Sequence, residues 1–133
     1  MPLTVELVSP EDMLFSGEAD MVVARTKGGG DIAFQPGHVP FIGSLEVWSV
    51  DLVQGDGSRE TIAVHQGFVS LANDKVTVLS DVAELASSID VPRARDAKAR
   101  AEASLGSDTE DNEAADALRR ADLRLRVAGV SAD

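Results

Sequence analysis

The composition of the chain changes abruptly near Ser88, and this change constrains the fold more than any other feature of the sequence. Before it, Val, Ile, Phe, Thr and Gly dominate. After it come Ala, Arg, Asp and Glu, with glycine only at positions 106 and 129. β-Branched and aromatic residues favour strands, whereas alanine and arginine favour helices. The sequence therefore predicts a β-rich domain over residues 1–88 and a helical domain over residues 89–133.

Short apolar runs separated by turn residues fill the first domain. Leu3–Leu7 alternates apolar and polar side chains, as expected of a strand that is buried on one face. Further runs with strand character lie at 21–24, 45–53, 61–65, 68–71 and 76–79, and turn sequences lie at 9–12, 28–30, 54–57 and 73–74. Many short strands joined by close turns predict an antiparallel sandwich or barrel.

The second domain has the pattern of two helices. Asp90 is placed to cap a helix that begins at the next residue, and Pro92 is tolerated in the first turn, where its missing N–H has no helical partner. Gly106-Ser107-Asp108 can end this helix and cap the next one, which should run from about Asp111 to Ala128. The short link predicts an antiparallel helical hairpin.

The hairpin is predicted to have a narrow apolar seam made mostly of alanine. The expected inward positions are Ala94, Ala97, Ala101 and Leu105 on the first helix, and Ala114, Ala117 or Leu118, Ala121 and Leu125 on the second. Alanine adds little apolar area, burial stabilises by only about 25 cal/mol per Å², and short isolated helices are marginal in water. Such a hairpin can dock, open or rebind at small cost, which suits a switch better than a scaffold.

The charge of the chain limits its partners. It has 12 basic and 23 acidic residues, a formal net charge of -11. Residues 1–88 hold 4 basic and 13 acidic residues, whereas residues 89–133 hold 8 and 10. Because affinity for nucleic acid depends on neutralising phosphates, nucleic acid is excluded as the main partner. The lack of cysteine excludes disulfides, and no run approaches the roughly 20 apolar residues of a spanning helix.

The sequence contains no motif of a catalytic centre. His38 and His65 lie outside any nucleophile motif, and neither a Gly-x-Ser-x-Gly elbow nor a Walker-type phosphate loop is present. Gly28-Gly29-Gly30 follows a strand but opens no helix, so it indicates a turn. We therefore expect no catalytic residues, and two histidines argue against a metal site. A hydrolase that uses His38 or His65 is the alternative.

Two segments carry more specific patterns. Residues 30–40 contain two prolines and two glycines, which on this pattern alone indicate a rigid crossover loop. Ile89–Ala94 is followed by Arg100, and Arg93 and Arg100 are seven residues apart, close to two helical turns, so both project from one face. Together with an arginine of the second helix, they can bind an anion. The alternative is a capped helix with solvated arginines.

These segments together resemble the epsilon subunit family of the F-type rotary ATP synthase. Residues 30–40 match the family pattern Gly-Glu-Leu-Gly-Ile-x-Pro-Gly-His-x-Pro, and residues 66–84 match a later stretch that contains Gly-Gly-Phe and Val-Thr-Val-Leu-Ala-Asp-x-Ala-Glu. Met13–Gly17 resembles the first turn of the family. Ala33 and Gln66 stand where the family pattern has glycine. The resemblance is close through the first domain and the start of the second, and looser in the hairpin.

The resemblance implies a flattened antiparallel β-sandwich followed by an antiparallel two-helix hairpin. It also implies a non-catalytic subunit of the central stalk, bound to the gamma subunit and to the membrane-embedded c-ring. Such a subunit rotates with them and couples proton flow to ATP synthesis. Its extended hairpin would reach the alpha and beta subunits and restrain ATP hydrolysis. The expected location is peripheral, at the cytoplasmic face of the bacterial plasma membrane, and no cofactor is required.

The resemblance also carries site residues to this chain where the motifs match. Asp31 takes the place of an acidic residue in a loop that faces the c-ring, and His38 lies at or near the end that faces gamma and the ring. Some bacterial members bind ATP as a regulatory ligand through an Ile/Leu-Asp-x-x-Arg-Ala motif, a preceding Glu and arginines of both helices. The matching residues here are Glu84, Ile89, Asp90, Arg93, Ala94, Arg100, Arg120 and Arg124. A stand-alone ATP-sensing module of the same fold is the alternative function.

Overall fold

The chain folds into two compact units, which meet in the sequence between Glu84 and Leu85. A computed structural model describes residues 2–129. In this range the strands are β1 (Leu3–Val8), β2 (Met13–Ala19), β3 (Met21–Thr26), β4 (Gly30–Phe34), β5 (Phe41–Val53), β6 (Arg59–Ala72), β7 (Lys75–Leu79) and β8 (Ala83–Leu85). A short 3-10 helix at Ala86–Ser88 precedes the helices α1 (Val91–Ser107) and α2 (Asn112–Val127).

The first unit is a sheet whose strands follow the order β2-β1-β7-β6-β5-β3-β4, with β8 beside β6. Neighbours along this path run antiparallel, apart from β1 and β7, which run parallel. β5 and β6 have 13 and 14 residues and pair with each other over almost their whole length. The start of β5 pairs with the end of β6, and the end of β5 pairs with β3. The predicted sandwich is thus confirmed, with one parallel pair of strands.

Two of the predicted runs, 61–65 and 68–71, belong to the single strand β6. Between them the backbone has φ of 75° at Gln66 and 154° at Gly67. A Cβ atom at Gly67 would overlap the backbone carbonyl oxygen of Leu79, so this position has no room for a side chain. Gln66 adopts a conformation that glycine prefers, in agreement with the glycine of the family pattern.

The tight hairpin between β6 and β7 forms as the sequence predicts. Asn73 and Asp74 have φ of 52° and 59° and make a two-residue loop between the paired residues Ala72 and Lys75. Two consecutive residues with positive φ are typical of type I′ turns, whose twist matches that of the flanking strands. Asn and Asp tolerate this conformation better than other residues with a side chain.

The turn before β2 differs from the prediction at one place. The Ser9 N–H donates to the Asp12 carbonyl oxygen over 2.8 Å, and the Asp12 N–H donates to Ser9 Oγ over 3.1 Å. These bonds close the predicted turn at 9–12. The interpretation of Met13–Gly17 as a turn is wrong, because these residues are extended and pair with β1.

Large apolar side chains fill the interior of the sandwich. They alternate with more exposed residues along β1 and β3, as expected of strands with one buried face. The largest fully buried side chains of this unit are Leu3, Val5, Leu7, Val22, Phe34, Leu45, Leu52, Ile62, Val64, Val69 and Leu71. The ring of Phe34 lies 5.5 Å from that of Phe41 between centroids, and this contact joins the end of β4 to the start of β5.

The second unit is the predicted antiparallel hairpin. Lys98 Nζ on α1 lies 3.1 Å from Asp122 Oδ1 on α2. Nearer the link between the helices, Ser104 and Ala114 line one cleft. Residues near the link on α1 thus lie beside residues near it on α2, and residues far from it lie beside each other. This is the arrangement of antiparallel helices.

Each helix begins at an aspartate cap. Asp90 Oδ1 accepts a hydrogen bond from the Arg93 N–H over 3.1 Å, as predicted. Asp111 Oδ1 accepts one from the Ala114 N–H over 3.0 Å. Asp108, the expected cap of the second helix, instead closes the end of α1. Each cap satisfies an N–H group that has no partner within its own helix.

The seam of the hairpin is largely the predicted one. Five of the expected positions are buried, namely Ala94, Ala101, Ala114, Ala121 and Leu125. The other expected positions are half-buried, namely Ala97, Leu105, Ala117 and Leu118. Leu123 and Val127 are also buried, which the pattern did not predict. Within residues 2–129, no helix has the length and hydropathy that crossing a membrane requires.

Candidate functional site

Asp31, one of the predicted interface residues, lies in strand β4 next to the turn of the β3–β4 hairpin, and not in a loop as the resemblance implies. Asp31 lies directly opposite Arg25 in the register of the two strands, and Arg25 Nε donates to Asp31 Oδ1 over 2.8 Å. This hydrogen bond is the main reason why the pKa of Arg25 is raised above its ordinary value. The Asp31 side chain is 54% exposed, so it can be reached from the surface.

Arg25 also contacts an aromatic ring. Its Cζ atom lies 3.8 Å from the ring centroid of Trp48, a half-buried residue of β5. A guanidinium over an indole is a favourable cation–π arrangement. Arg25 and Trp48 come together only through the pairing of β3 with β5, so no local sequence pattern points to them.

His38 lies in the loop between β4 and β5, which is fixed by a turn. The His38 N–H donates to the Gln35 carbonyl oxygen over 3.1 Å, and Gly37 has φ of 86°. Pro36 and Gly37 occupy the two central positions, the arrangement that a type II turn favours. The ring of His38 lies edge-on to that of Phe34, with 5.2 Å between centroids. Its Nδ1 lies 2.6 Å from the Val39 carbonyl oxygen, which can only accept, so Nδ1 is the donor.

This loop is also tied to the β6–β7 turn. The Gly37 N–H donates to Asp74 Oδ1 over 2.8 Å. The Thr4 N–H donates to the Asp74 carbonyl oxygen over 2.9 Å. Asp74 thus connects three chain segments, whereas its sequence pattern indicates only a turn.

Glu84, the first residue of the predicted nucleotide set, belongs to the sandwich unit. Its Oε1 lies 3.0 Å from Nε2 of His65, whose side chain is only 3% exposed. The contact joins β8 to β6. Glu84 therefore has a structural partner in the sandwich. His65 lies in a strand, as the sequence predicts, and its burial is an additional finding.

The motif at the start of α1 is built around the helix cap. The Asp90 carboxylate binds the N–H of Arg93, and the Asp90 carbonyl oxygen accepts from the Ala94 N–H over 3.0 Å. Ile89 and Ala94 are buried, whereas the Arg93 side chain lies in an exposed position. The residues of the motif are adjacent in one helical turn, and each apolar member contributes to packing.

The arginines of the predicted nucleotide set lie on both helices. Arg100 on α1 is exposed, and Arg120 and Arg124 on α2 are half-buried. Arg100 lines a cleft of about 270 Å³ between the helices. Two carboxylates, Asp111 and Glu113, line the same cleft and weaken its attraction for an anion.

By its architecture, the chain is a two-unit protein with a β-sandwich followed by a helical hairpin. Residues 2–86 match the family described as ATP synthase, Delta/Epsilon chain, beta-sandwich domain. Residues 87–129 match the family described as ATP synthase, Delta/Epsilon chain, long alpha-helix domain. The chain belongs to the ATP synthase delta/epsilon chain family, and the resemblance to epsilon subunits is confirmed.

Relatives named ATP synthase epsilon chain are similar over nearly the whole length. The one from Streptomyces griseus is 46% identical over 128 residues, which cover 96% of each chain. The one from Thermobifida fusca is 46% identical over 129 residues, covering 95% of this chain and 85% of the relative. A chain in the cryo-EM structure of the Euglena gracilis mitochondrial ATP synthase has the same fold, with a TM-score of 0.79 at 17% identity. That match covers 96% of this chain and 81% of the other.

Proposed function

We propose that the chain is a non-catalytic central-stalk subunit of a proton-translocating F-type ATP synthase. In this role the sandwich binds the gamma subunit and the c-ring and couples proton flow to ATP synthesis. The hairpin restrains ATP hydrolysis by extending toward the alpha and beta subunits. The subunit sits peripherally at the cytoplasmic face of the bacterial plasma membrane. The domains that carry these roles are residues 1–88 and 89–133.

One observation carries this proposal. Both domains of one ATP synthase family match this chain, in order and without a gap, from residue 2 to residue 129. The contacts of the hairpin support the regulatory part. Its α1 helix buries only two side chains, both alanine, so separating α1 from its neighbours exposes little apolar area on that helix. Helix α1 can therefore change its contacts at modest cost, whereas α2 also buries Leu123, Leu125 and Val127.

Binding to the other subunits tests the assembly role. Synthase stripped of its own epsilon chain should bind the full-length chain, and the bound chain should co-purify with gamma and the c-ring. Absence of binding by the full-length chain would refute the assignment. Asp31 and His38 are the residues that we expect at this interface.

Regulatory binding of ATP is the finer part of the proposal. Arg93 and Arg100 offer exposed guanidinium groups seven residues apart on α1, and Arg120 and Arg124 extend the set on α2. Glu84 contacts His65, and Asp90 caps α1. We therefore expect these two acids to have a structural role in the set. The carboxylates beside Arg100 repel a phosphate, so we expect weak binding at millimolar ATP.

Calorimetry with MgATP tests this part. We expect heat of binding for the wild type and none for Arg93→Ala. Arg95→Ala is the matched control, because Arg95 is also an exposed arginine on α1 but lies outside the predicted set. Loss of binding in both variants would indicate a general charge effect, and no heat with the wild type at millimolar ATP would remove the nucleotide claim.

A further inference from the structure

Arg25 connects Asp31 to the body of the sandwich. The two residues are cross-strand neighbours in the β3–β4 hairpin, and Arg25 Nε holds Asp31 Oδ1 at 2.8 Å. Both side chains are partly exposed, 37% for Arg25 and 54% for Asp31. An exposed carboxylate on a hairpin can adopt several rotamers, so the bond to Arg25 selects one orientation of Asp31.

Trp48 in turn fixes the position of Arg25. The register between β3 and β5 moves from Val23 opposite Asp51 to Thr26 opposite Leu45, an advance of three residues on β3 and six on β5. The extra residues of β5 form an irregularity of the β-bulge type, which redirects side chains. Trp48 lies in this segment, and its ring meets the Arg25 guanidinium at 3.8 Å.

We propose that Arg25 is a positioning residue, which fixes the Asp31 carboxylate for contact with the partner subunit, and that Trp48 holds Arg25 in place. This inference rests on the proposed function, because it takes Asp31 to lie in the interface. The group presented to the partner is then a carboxylate whose charge a guanidinium already balances. Association through this hairpin should therefore depend only weakly on ionic strength, because long-range attraction is small.

The chain offers a matched control for this role. Arg59 Nη1 and Asp51 Oδ2 form another cross-strand ion pair of the same unit, also at 2.8 Å, with Arg59 51% exposed. Exposed ion pairs add little to folding stability. Asp51 is only 17% exposed, so Arg59→Gln leaves a mostly buried carboxylate without this partner and should cost at least as much stability as Arg25→Gln. Weaker binding by Arg25→Gln alone would therefore reflect the position of Arg25 beside Asp31 and not a loss of stability.

The test measures binding of full-length variants to F-type synthase stripped of its epsilon chain. We expect Arg25→Gln to weaken binding about fivefold and to steepen its salt dependence, whereas Arg59→Gln binds as the wild type does. Arg25→Lys, which keeps the charge, should recover part of the loss. In an Asp31→Asn background, Arg25→Gln should have no further effect, because the group that it positions has been neutralised. The emission of Trp48, the one tryptophan of the sequence, should change in free Arg25→Gln.

Each result distinguishes the inference from the proposed function. If the wild type binds and Arg25→Gln binds equally well, the positioning role is wrong and the proposed function stands. Equal losses for Arg25→Gln in the wild-type and Asp31→Asn backgrounds would also overturn it, because the two effects would then be independent. If the wild-type chain itself does not bind, the proposed function fails and the inference falls with it.

Discussion

The sandwich and the first helix of the hairpin bury side chains of different size. The sandwich buries large residues such as Phe34, Leu52 and Ile62, whereas the two buried side chains of α1 are Ala94 and Ala101. Hydrophobic stabilisation grows with the apolar area removed from water, about 25 cal/mol per Å². The sandwich therefore has a core of large side chains, whereas the hairpin combines small side chains on α1 with three larger apolar ones on α2, two helix caps and a cross-helix ion pair.

This difference fits a division of labour. A subunit that must stay attached to a rotor needs one part whose conformation does not change. A part that responds to a ligand or to a neighbour needs alternatives that differ by only a few kcal/mol. If the two units differ in this way, mutations should affect them differently, from large losses of stability in the sandwich core to small changes at helix caps and loops.

Removing a large core side chain should be most costly in the sandwich. Phe34 is fully buried, and Phe34→Ala should lower the free energy of unfolding by about 3–5 kcal/mol. Urea titration followed by Trp48 fluorescence measures this change. Phe68→Ala is the control, because Phe68 is 55% exposed and its truncation should change stability by less than about 0.5 kcal/mol. Similar losses for both variants would contradict the assigned core.

The same substitution at a glycine of each unit should have opposite effects. Gly67→Ala places a Cβ against the Leu79 carbonyl oxygen at an unfavourable φ, and should destabilise the sandwich by about 3 kcal/mol. Gly106 lies within α1 with open space around it, so Gly106→Ala should stabilise the hairpin by up to about 1 kcal/mol. In thermal melts, the helical circular dichroism signal reports unfolding of the hairpin, and Trp48 emission reports unfolding of the sandwich. The same sign in both variants would refute the contrast.

Loss of a helix cap should affect the hairpin alone. Asp111→Ala removes the acceptor of the Ala114 N–H and should cost about 1 kcal/mol, whereas Asp111→Ser keeps an acceptor and should cost less. The helical signal reports this loss, and the fluorescence transition of the sandwich should not move. An equal cost for alanine and serine would show that the carboxylate acts by its charge rather than as a cap.

The smallest expected effect depends on pH. The pKa of Asp56 in the β5–β6 loop is lowered, chiefly because the Ser58 hydroxyl and then the Ser58 N–H donate to it. A lowered pKa in the folded state adds stability above the unfolded pKa, near 3.9, and this is lost as the pH falls through the folded value. The melting temperatures of wild type and Asp56→Asn should therefore differ slightly at pH 6 and converge in strong acid. A gap that widens in acid would contradict the direction of the shift.

Local chemistry made part of the fold predictable from sequence. The Asn73-Asp74 turn and the Asp90 cap each depend on residues within a few positions of one another, and both are confirmed. The parallel pairing of β1 with β7 joins segments about 70 residues apart, and no local pattern reports it. The cap of α2 is Asp111 and not the expected Asp108. Both are aspartates in one short link, so composition does not distinguish between them.

The candidate sites likewise divide into those with local geometry, which the sequence predicts, and those with non-local geometry, which it does not. His38 and Asp90 lie in motifs whose geometry is local, so their turn and cap were accessible from sequence. The environment of Asp31 was not, because Arg25 reaches it through strand pairing, and Trp48 meets Arg25 at an irregularity in β5. The acidic side chains beside Arg100 were likewise hidden, since they enter the cleft from the other helix.

The rate of ATP hydrolysis by reconstituted synthase tests the central claim most directly. Complexes would be assembled with the full-length chain or with a chain that ends at residue 88, and the amount of bound subunit would be measured in each. Our account predicts that both chains bind and that hydrolysis is faster with the shortened chain, because the restraining hairpin is absent. Equal rates at equal occupancy, or failure of the shortened chain to bind, would contradict the division into an assembling sandwich and a regulatory hairpin.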